Sequence, residues 1–369
     1  MMAEPLKNQY SEEFFDQLAE ILSAQLDGFE RDSFLKKIFD NEWDERELKE
    51  RTEHLSNVLH LFLPTGYEES LKILIGIIDA VEKNPISESN LPFLFIPDYI
   101  ERYGMDHFDA SIKAIEVVTP FITCEFTVRP FIVRYQERMM SQMQEWSHHK
   151  NHHLRRLASE GCRPRLPWAS VIQKFVVDPS PVLPILVALK ADPSEYVSRS
   201  VANNLNDISK DHPELMLDLC HRWKGETEIT DKVIKHACRT LLKGAHPKAL
   251  SLFDYGDPGN VTISDFRADK SVRIGDKFNY AFTISQTMDE PCKIRVEVGI
   301  DYVKSNGKRN RKIFKITEIE LDPDKKAPYT RTQSFQDLTT RKHYRGTHSI
   351  AVIINGLEMK SADFEVEAV

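Results

Sequence analysis

The 369-residue sequence lacks several features that would place it in a common class of proteins. No run of eighteen apolar residues occurs, so no segment is long enough to cross a bilayer as a helix. The first ten residues hold a single lysine and no apolar core, unlike a secretory signal peptide. We therefore expect a cytoplasmic protein that has no membrane partner.

Glycine and cysteine are also scarce. Only 14 glycines occur, and none belongs to the G-x-x-x-x-G-K-S/T loop that binds nucleotide phosphates, so ATP dependence is not expected. The five cysteines are scattered and form no C-x-x-C pair, which predicts reduced thiols rather than disulfides or a zinc site. No cofactor and no metal are predicted.

The net charge of −8 is unevenly distributed along the chain. Residues 1–60 hold fifteen acids against seven lysines and arginines, whereas residues 147–168 hold five basic residues against one acid. Residues 301–345 hold twelve basic residues against six acids. Such local basic surfaces suit nucleic-acid binding, because phosphate attraction reaches only about 8–10 Å in physiological salt. For the second patch, ordinary solvated surface charge is the alternative.

Hydrophobic periodicity predicts a helical domain over residues 1–252. Apolar residues recur at helical spacing across residues 12–250, and segment 182–223 fits two antiparallel helices opened by Pro193 and Pro213. Helix pairs that repeat about every 35–45 residues are typical of α-solenoids. The sequence therefore predicts a mainly α fold, a right-handed α-solenoid of HEAT-like helical repeats.

Residues 256–369 follow an alternating pattern instead. About seven short strands separated by turn clusters predict an all-β immunoglobulin-like sandwich, without the usual disulfide because Cys292 is the domain's only cysteine. The strands that the alternation indicates most clearly are 261–263, 278–284, 293–298, 311–319, 348–354 and 363–366.

The segment 146–168 is the densest candidate for DNA recognition. Arg156 and Glu160 are four residues apart on a predicted helix and can pair, and Gly161 is placed to end that helix. Beyond it, Arg163 is expected to project from a loop. The alternative is a capped helix with surface arginines.

That loop also carries Arg165 and leads to Trp168. Guanidinium groups bind phosphates through two parallel hydrogen bonds, and an indole can stack on a sugar or a base. The combination favours contact with a DNA backbone, and the alternative is a tryptophan of the core.

A polar stripe marks one helix of the clearest repeat. Arg199, Asn203 and Asp207 lie at intervals of four residues, opposite the apolar face. Because Asn and Asp are poor helix formers, a ligand on a concave surface would explain them, and hydrogen bonding between repeats is the alternative.

An isolated carboxylate, Glu125, occurs in the apolar segment 121–131. If it is partly buried, it needs a partner. The partner is either Arg129, one helical turn further on, or a cationic ligand, and the sequence leaves both open.

Three segments resemble the AlkC family of bacterial DNA glycosylases, which are relatives of the AlkD enzymes: residues 124–130, 154–168 and 200–213. The similarity extends through the helical domain, and the sandwich resembles a domain that some members carry. The resemblance implies a monofunctional base-excision-repair enzyme of the bacterial cytosol, associated with the nucleoid. It also implies hydrolysis of the N-glycosidic bond of 3-methyladenine and 3-methylcytosine in a bent duplex, without a deep base-flipping pocket.

An N3-alkylated base carries positive charge and leaves readily, so the enzyme must mainly stabilise an oxocarbenium-like sugar and position a water, which carboxylates can do. The predicted catalytic residues are Glu125, Glu160, Asp207 and Trp168. The predicted DNA-binding residues are Arg155, Arg156, Arg163, Arg165, Arg199, Asn203, Lys308, Arg309 and Arg311. The expected partner is duplex DNA that contains alkylated bases, bound by a monomer.

Two other functions fit parts of the pattern. A HEAT-type array can bind nucleic acid or protein on its concave face without catalysis. The histidines at 148, 149, 152 and 153 form i, i+4 pairs that could hold zinc, although no H-E-x-x-H motif accompanies them and the nearby arginines would repel a cation.

Overall fold

The computed structural model describes residues 5–338 and 341–368. Helices precede strands, so the expected mainly α region followed by an all-β immunoglobulin-like domain is confirmed. In the described part of the chain, no helix is long and apolar enough to cross a membrane. The α-helices there are α1 (Glu12–Gln25), α2 (Arg31–Ile38), α3 (Leu48–His60), α4 (Tyr67–Lys83), α5 (Phe95–Tyr103), α6 (Phe108–Val118), α7 (Val128–Arg134), α8 (Gln136–Trp146), α9 (His152–Gly161), α10 (Gln173–Val177), α11 (Leu183–Leu189), α12 (Glu195–Ile208), α13 (Pro213–Trp223), α14 (Glu228–Ala237), α15 (Arg239–Lys243) and α16 (Pro247–Leu252).

Helices begin and end where the sequence supplies caps. The Ser11 side chain accepts a hydrogen bond from the Phe14 N–H (3.1 Å) at the start of α1, and Asn151 does the same for the His153 N–H (2.9 Å) at the start of α9. Each cap satisfies a backbone donor that a helix start leaves unpaired. Helix α9 ends at Gly161, as the sequence predicts.

Helix α12 packs between α9 and α14 and carries the predicted polar stripe. The Asn204 amide donates to the Ser159 carbonyl of α9, and the Asn206 amide donates to the Ala237 carbonyl of α14, both at 2.8 Å. Hydrogen bonding between neighbouring helices therefore accounts for these two asparagines, which lie beside the stripe of Arg199, Asn203 and Asp207.

The described residues cluster into two compact units. The first comprises the chain up to His212 together with Arg222–Ala237, and the second comprises Pro213–His221 and the chain from Cys238 onward. Helices α15 and α16 thus cluster with the strands. The division into domains at residues 252–256 stays a prediction from the sequence.

The strands in the described residues are β1 (Val261–Ala268), β2 (Ser271–Arg273), β3 (Lys277–Gln286), β4 (Cys292–Val303), β5 (Arg309–Leu321), β6 (Ala327–Ser334), β7 (Gly346–Ile354) and β8 (Leu357–Glu367). They form two sheets of the sandwich, ordered β1-β3-β6 and β2-β8-β7-β4-β5, and every pairing among them is antiparallel except β2 with β8. Phe278, Phe282, Val298 and Val352 belong to the core of this sandwich, and Cys292 is unpaired as expected.

Each of the six strand ranges expected from the sequence lies within a strand of the structure. Strands β2 and β6 were not predicted. Strand β2 has only three residues, and β6 is an edge strand whose side chains are mostly exposed, so neither shows an alternation of apolar residues.

Candidate active site

Arg163 joins two of the predicted catalytic acids in the first unit. Its Nη1 donates to Glu160 Oε1 (2.6 Å) and its Nε donates to Asp207 Oδ2 (2.8 Å). The residue is only 6% exposed, so the expectation that Arg163 projects from the loop is wrong. Two buried carboxylates hold the guanidinium inward, because an unpaired charge there would be costly.

Glu160 and Asp207 each have partners besides Arg163. Glu160 Oε2 accepts from the Ser200 hydroxyl (2.7 Å), and Arg156 Nη2 lies 3.5 Å from Glu160 Oε1, so the predicted i, i+4 pair is confirmed. Asp207 Oδ1 accepts from Lys210 Nζ (2.9 Å). These bonds fix the orientation of both carboxylates.

Glu125 lies just before α7 and pairs with Arg156, which also donates to the Thr123 hydroxyl (2.9 Å). The pairing that the sequence left open therefore involves Arg156 and not Arg129. With its side chain 13% exposed, Glu125 is the most accessible of the three predicted acids, although it too is largely buried.

These residues form one connected set, which we call the acid–arginine network. Three carboxylates meet three cations in it, so the network carries no net charge while keeping every acid beside a cation. Its members are Glu125, Arg156, Glu160, Arg163, Asp207 and Lys210.

Arg129 lies beneath the loop that follows α9. Its Nη1 donates to the carbonyls of Gly161 (3.0 Å) and Arg163 (2.7 Å), and its Nη2 donates to the carbonyl of Ser170 (2.6 Å). Burial lowers the pKa of Arg129 to about 10, so the guanidinium stays charged at neutral pH. Arg129 thus fixes both ends of the loop.

Trp168 is 71% exposed and has a backbone φ of +65°, so the alternative that it is a core tryptophan is wrong. Its carbonyl accepts a hydrogen bond from the Nζ of Lys49, the second residue of α3. The same ammonium lies 4.7 Å from the centroid of the Phe126 ring.

Tyr196 borders the network and was not singled out from the sequence. The Arg156 guanidinium lies 5.0 Å from the centroid of its ring, and the residue is 43% exposed. Burial raises the pKa of Tyr196, and Glu125 and Glu160 add to the rise while Arg156 opposes it. No spacing signal marks Tyr196 or Lys49, whereas Lys210 could have been found three residues after Asp207 on one helix turn.

The remaining predicted DNA contacts of the first unit differ in accessibility. Arg155 is bound by the buried Asp192 through two hydrogen bonds (2.6 and 3.1 Å). Arg165 forms a similar pair with Asp211 (3.0 and 2.9 Å) but is partly exposed.

Arg199 is exposed beside Glu195 and lines a groove of about 340 Å³. Asn203 lies nearby on the same helix, with its Oδ1 3.1 Å from His236 Nε2. Arg165, Arg199 and Asn203 are therefore the predicted contacts that a ligand at the surface of this unit can reach most directly.

The predicted contacts of the sandwich lie at the hairpin between β4 and β5. Lys308 is exposed in the turn, and Arg309 Nη1 lies 3.7 Å from Asp363 Oδ1. Arg311 is held by two acids, Asp301 (2.7 Å) and Glu358 (2.7 Å).

Within the residues that the structure describes, no three His, Cys, Asp or Glu side chains are arranged to hold a metal ion. His152 and His153 lie side by side with ring centroids 4.2 Å apart, and both contact the edge of Tyr196. The geometry gives the zinc hypothesis no support.

Comparisons with known proteins cover nearly all of the chain. Residues 262–368 fit the family described as "Uncharacterised protein YhaZ, C-terminal Ig-like domain". The "Uncharacterized protein YhaZ" of Bacillus subtilis (strain 168) is 45% identical over 362 residues, which is 98% of this chain and 99% of that protein. A solved structure, the Pseudomonas fluorescens alkylpurine DNA glycosylase AlkC bound to DNA containing an abasic site analog, matches with a TM-score of 0.92 and 36% identity, over 99% of this chain and all of that one.

Proposed function

The chain belongs to the AlkC family of DNA alkylation repair glycosylases, and from that premise we propose that it hydrolyses the N-glycosidic bond of cationic alkylated bases in duplex DNA. The proposed substrates are 3-methyladenine and 3-methylcytosine. The observation that carries the proposal is the acid–arginine network, a set of oriented carboxylates in the unit that also presents the exposed Trp168.

In the proposed reaction, the oxygen of a water bonds to C1′ of the deoxyribose as the bond between C1′ and the base nitrogen breaks. The electron pair of that bond goes to the base, which leaves as a neutral molecule, and the proton of the water passes to a carboxylate. The cationic base needs little acid assistance, so stabilising the positive sugar and orienting the water are the main tasks.

We assign Glu125 or Asp207 to the sugar and its water. Glu125 is the more accessible of the two, with 13% of its side chain exposed. The Asp207 side chain is 2% exposed and pairs with Lys210, whose side chain is 41% exposed. Glu160 is surrounded by Arg156, Arg163 and Ser200, which suits a carboxylate that positions the others.

Strand cleavage is not part of the proposed reaction. An amine that cleaves the strand must reach C1′ as a nucleophile, whereas Lys210 Nζ donates a hydrogen bond to Asp207 Oδ1 (2.9 Å). We therefore propose a monofunctional glycosylase that leaves an abasic site.

Trp168 is proposed to pack on the sugar or bases beside the lesion. Surface arginines of both units, among them Arg165, Arg199 and Arg309, are proposed to contact phosphates. The proposed setting is the bacterial cytosol at the nucleoid, with the enzyme acting as a monomer without metal or cofactor.

The test is release of free base from methylated duplex DNA by the purified protein in EDTA. We expect the wild type to release 3-methyladenine and 3-methylcytosine, and Glu125→Gln or Asp207→Asn to slow release by about ten- to a thousandfold, or roughly 1.4–4 kcal/mol. Wild-type rates in both amide variants would reject the assignment of these acids.

A non-catalytic scaffold is the second candidate function, favoured by the frequent use of helical arrays in binding. Folded wild-type protein that binds DNA with an abasic site but releases no base would support it. Metal-dependent release would instead contradict the proposed mechanism.

A further inference from the structure

Trp168 is an exposed aromatic residue with an unfavourable backbone conformation. Its φ of +65° lies in the left-handed region, which is unfavourable for a bulky residue because the Cβ crowds the backbone. With 71% of the residue exposed, burial of the indole offsets little of that cost. Contacts of the surrounding chain must therefore hold the conformation.

Two cations from two different helices hold the loop. Arg129 of α7 binds the backbone on both sides of Trp168, through the carbonyls of Arg163 and Ser170. Lys49 of α3, distant by 119 residues in the sequence, binds the Trp168 carbonyl itself. Arg129 is buried and supports the whole loop, whereas Lys49 is a surface residue that acts at one peptide group.

Lys49 also connects Trp168 with the segment that carries a predicted catalytic acid. Its ammonium lies over the face of Phe126, the residue after Glu125, at a distance typical of a cation–π contact. One side chain thus contacts both the Trp168 carbonyl and the ring of the residue next to Glu125. Helix α3 contributes no member of the acid–arginine network, so this contact is its link to the site.

We propose that Lys49 is a positioning residue that holds the Trp168 indole in place beside the lesion. This role rests on the proposed function. An indole that is already fixed when DNA binds loses little conformational freedom on entering a distorted base stack. Small errors in its placement are expected to lower the rate of base excision strongly. Without the Lys49 contact, the Trp168 peptide can rotate and the indole samples other directions.

Tryptophan fluorescence tests the positioning directly, without any assay of activity. The other three tryptophans, Trp43, Trp146 and Trp223, are at most 7% exposed, so mobility and acrylamide quenching in the free protein report mainly on Trp168. In Lys49→Met we expect a faster anisotropy decay of the exposed indole than in the wild type, and in Lys49→Arg we expect restoration. An unchanged decay in Lys49→Met would overturn the proposal.

Single-turnover excision from duplex DNA tests the consequence. We expect Lys49→Met to be about ten- to a hundredfold slower than the wild type at saturating protein, with the melting temperature unchanged. Lys36→Met, which removes an exposed lysine of α2, is the matched control and should keep the wild-type rate and decay. A mobile indole combined with a wild-type rate would also overturn the proposal.

The same variants remain informative if no base is released by the wild type. A 2-aminopurine placed next to an abasic-site analog reports unstacking when the protein binds, and we expect a smaller fluorescence rise with Lys49→Met than with Lys36→Met. Loss of excision in all proteins, with this difference retained, would reject the proposed function but support the positioning role. Equal fluorescence rises would reject the role itself.

Discussion

Glu101 on α5 is a partly buried acid within electrostatic range of Lys49. Burial raises its pKa to about 7, Asp98 adds to the rise, and Arg102 and Lys49 oppose it. A carboxyl that is this hard to ionise in the folded protein lowers stability at neutral pH. Such groups are more frequent at functional sites than elsewhere, because selection for stability alone would remove them.

We expect Glu101→Gln to stabilise the protein above pH 7. The folded-state pKa exceeds the unfolded value of about 4.5, so the stability linked to this proton is complete below pH 4.5 and is lost as the pH rises to about 7. Urea unfolding should show a gain of up to about 3 kcal/mol at pH 8 that shrinks towards pH 5. Glu82→Gln, at an exposed position of α4, should give no such trend, and a gain independent of pH would contradict the explanation.

Arg163 illustrates the opposite case, a buried charge that is fully balanced. Arg163→Ala would leave Glu160 and Asp207 without their shared guanidinium, and we expect a loss of about 3–5 kcal/mol in the free energy of unfolding. Arg165→Ala removes a more exposed ion pair and should leave the urea midpoint nearly unchanged, and equal losses would contradict the burial argument.

Among the helices, the end of α9 is fixed by a close approach to its neighbours. A Cβ at Gly161 would lie 2.4 Å from Val128 Cγ2 and 2.9 Å from Met143 Cε. Because the Gly161 carbonyl also binds Arg129, this contact sets where the loop to Trp168 departs. The glycine both ends the helix and lets α7 and α8 pack against it.

We expect Gly161→Ala to destabilise the protein by about 1–3 kcal/mol, because overpacking outweighs the gain in helix propensity. Gly244→Ala is the matched control: its φ is −83° and a Cβ there would meet atoms no nearer than 3.5 Å. Thermal unfolding of both variants compares the two effects. An unchanged melting temperature for Gly161→Ala would contradict this expectation, because it would show that the neighbouring side chains move without a loss of stability.

At the level of the whole molecule, the chain presents predicted DNA contacts in each of its two compact units. Phosphate contacts act largely independently of sequence and release counterions, so their number is read from the salt dependence of binding. In the sandwich, Arg309 and Arg311 each pair with an acid. These pairs are also consistent with the alternative that the basic residues there are ordinary surface charge.

We expect the double variant Lys308→Gln/Arg309→Gln to bind duplex DNA more weakly, with a salt slope lower by about one to two. Lys325→Gln, in the turn that follows β5, is the control for charge alone. The dissociation constant is measured at several salt concentrations between about 50 and 200 mM, a range in which the affinity of DNA-binding proteins changes strongly. A wild-type slope in the double variant would favour plain surface charge.

The sequence by itself determined the elements and the bonds that local spacing allows. Capping residues and hydrophobic periodicity predicted α9, α12 and most strands. The four-residue interval predicted the contact between Arg156 and Glu160. These outcomes depend on neighbours within a few residues, so no knowledge of the packed chain was required.

Only the tertiary structure decided which partners meet across the chain and which charges are buried. The pair of Glu125 with Arg156 spans 31 residues, the bridge from Arg163 to Asp207 spans 44, and the contact of Lys49 with Trp168 spans 119. A spacing rule cannot select among such partners, because their proximity is a product of how the helices stack. For the same reason the sequence placed Arg163 at the surface, whereas packing encloses it between two carboxylates.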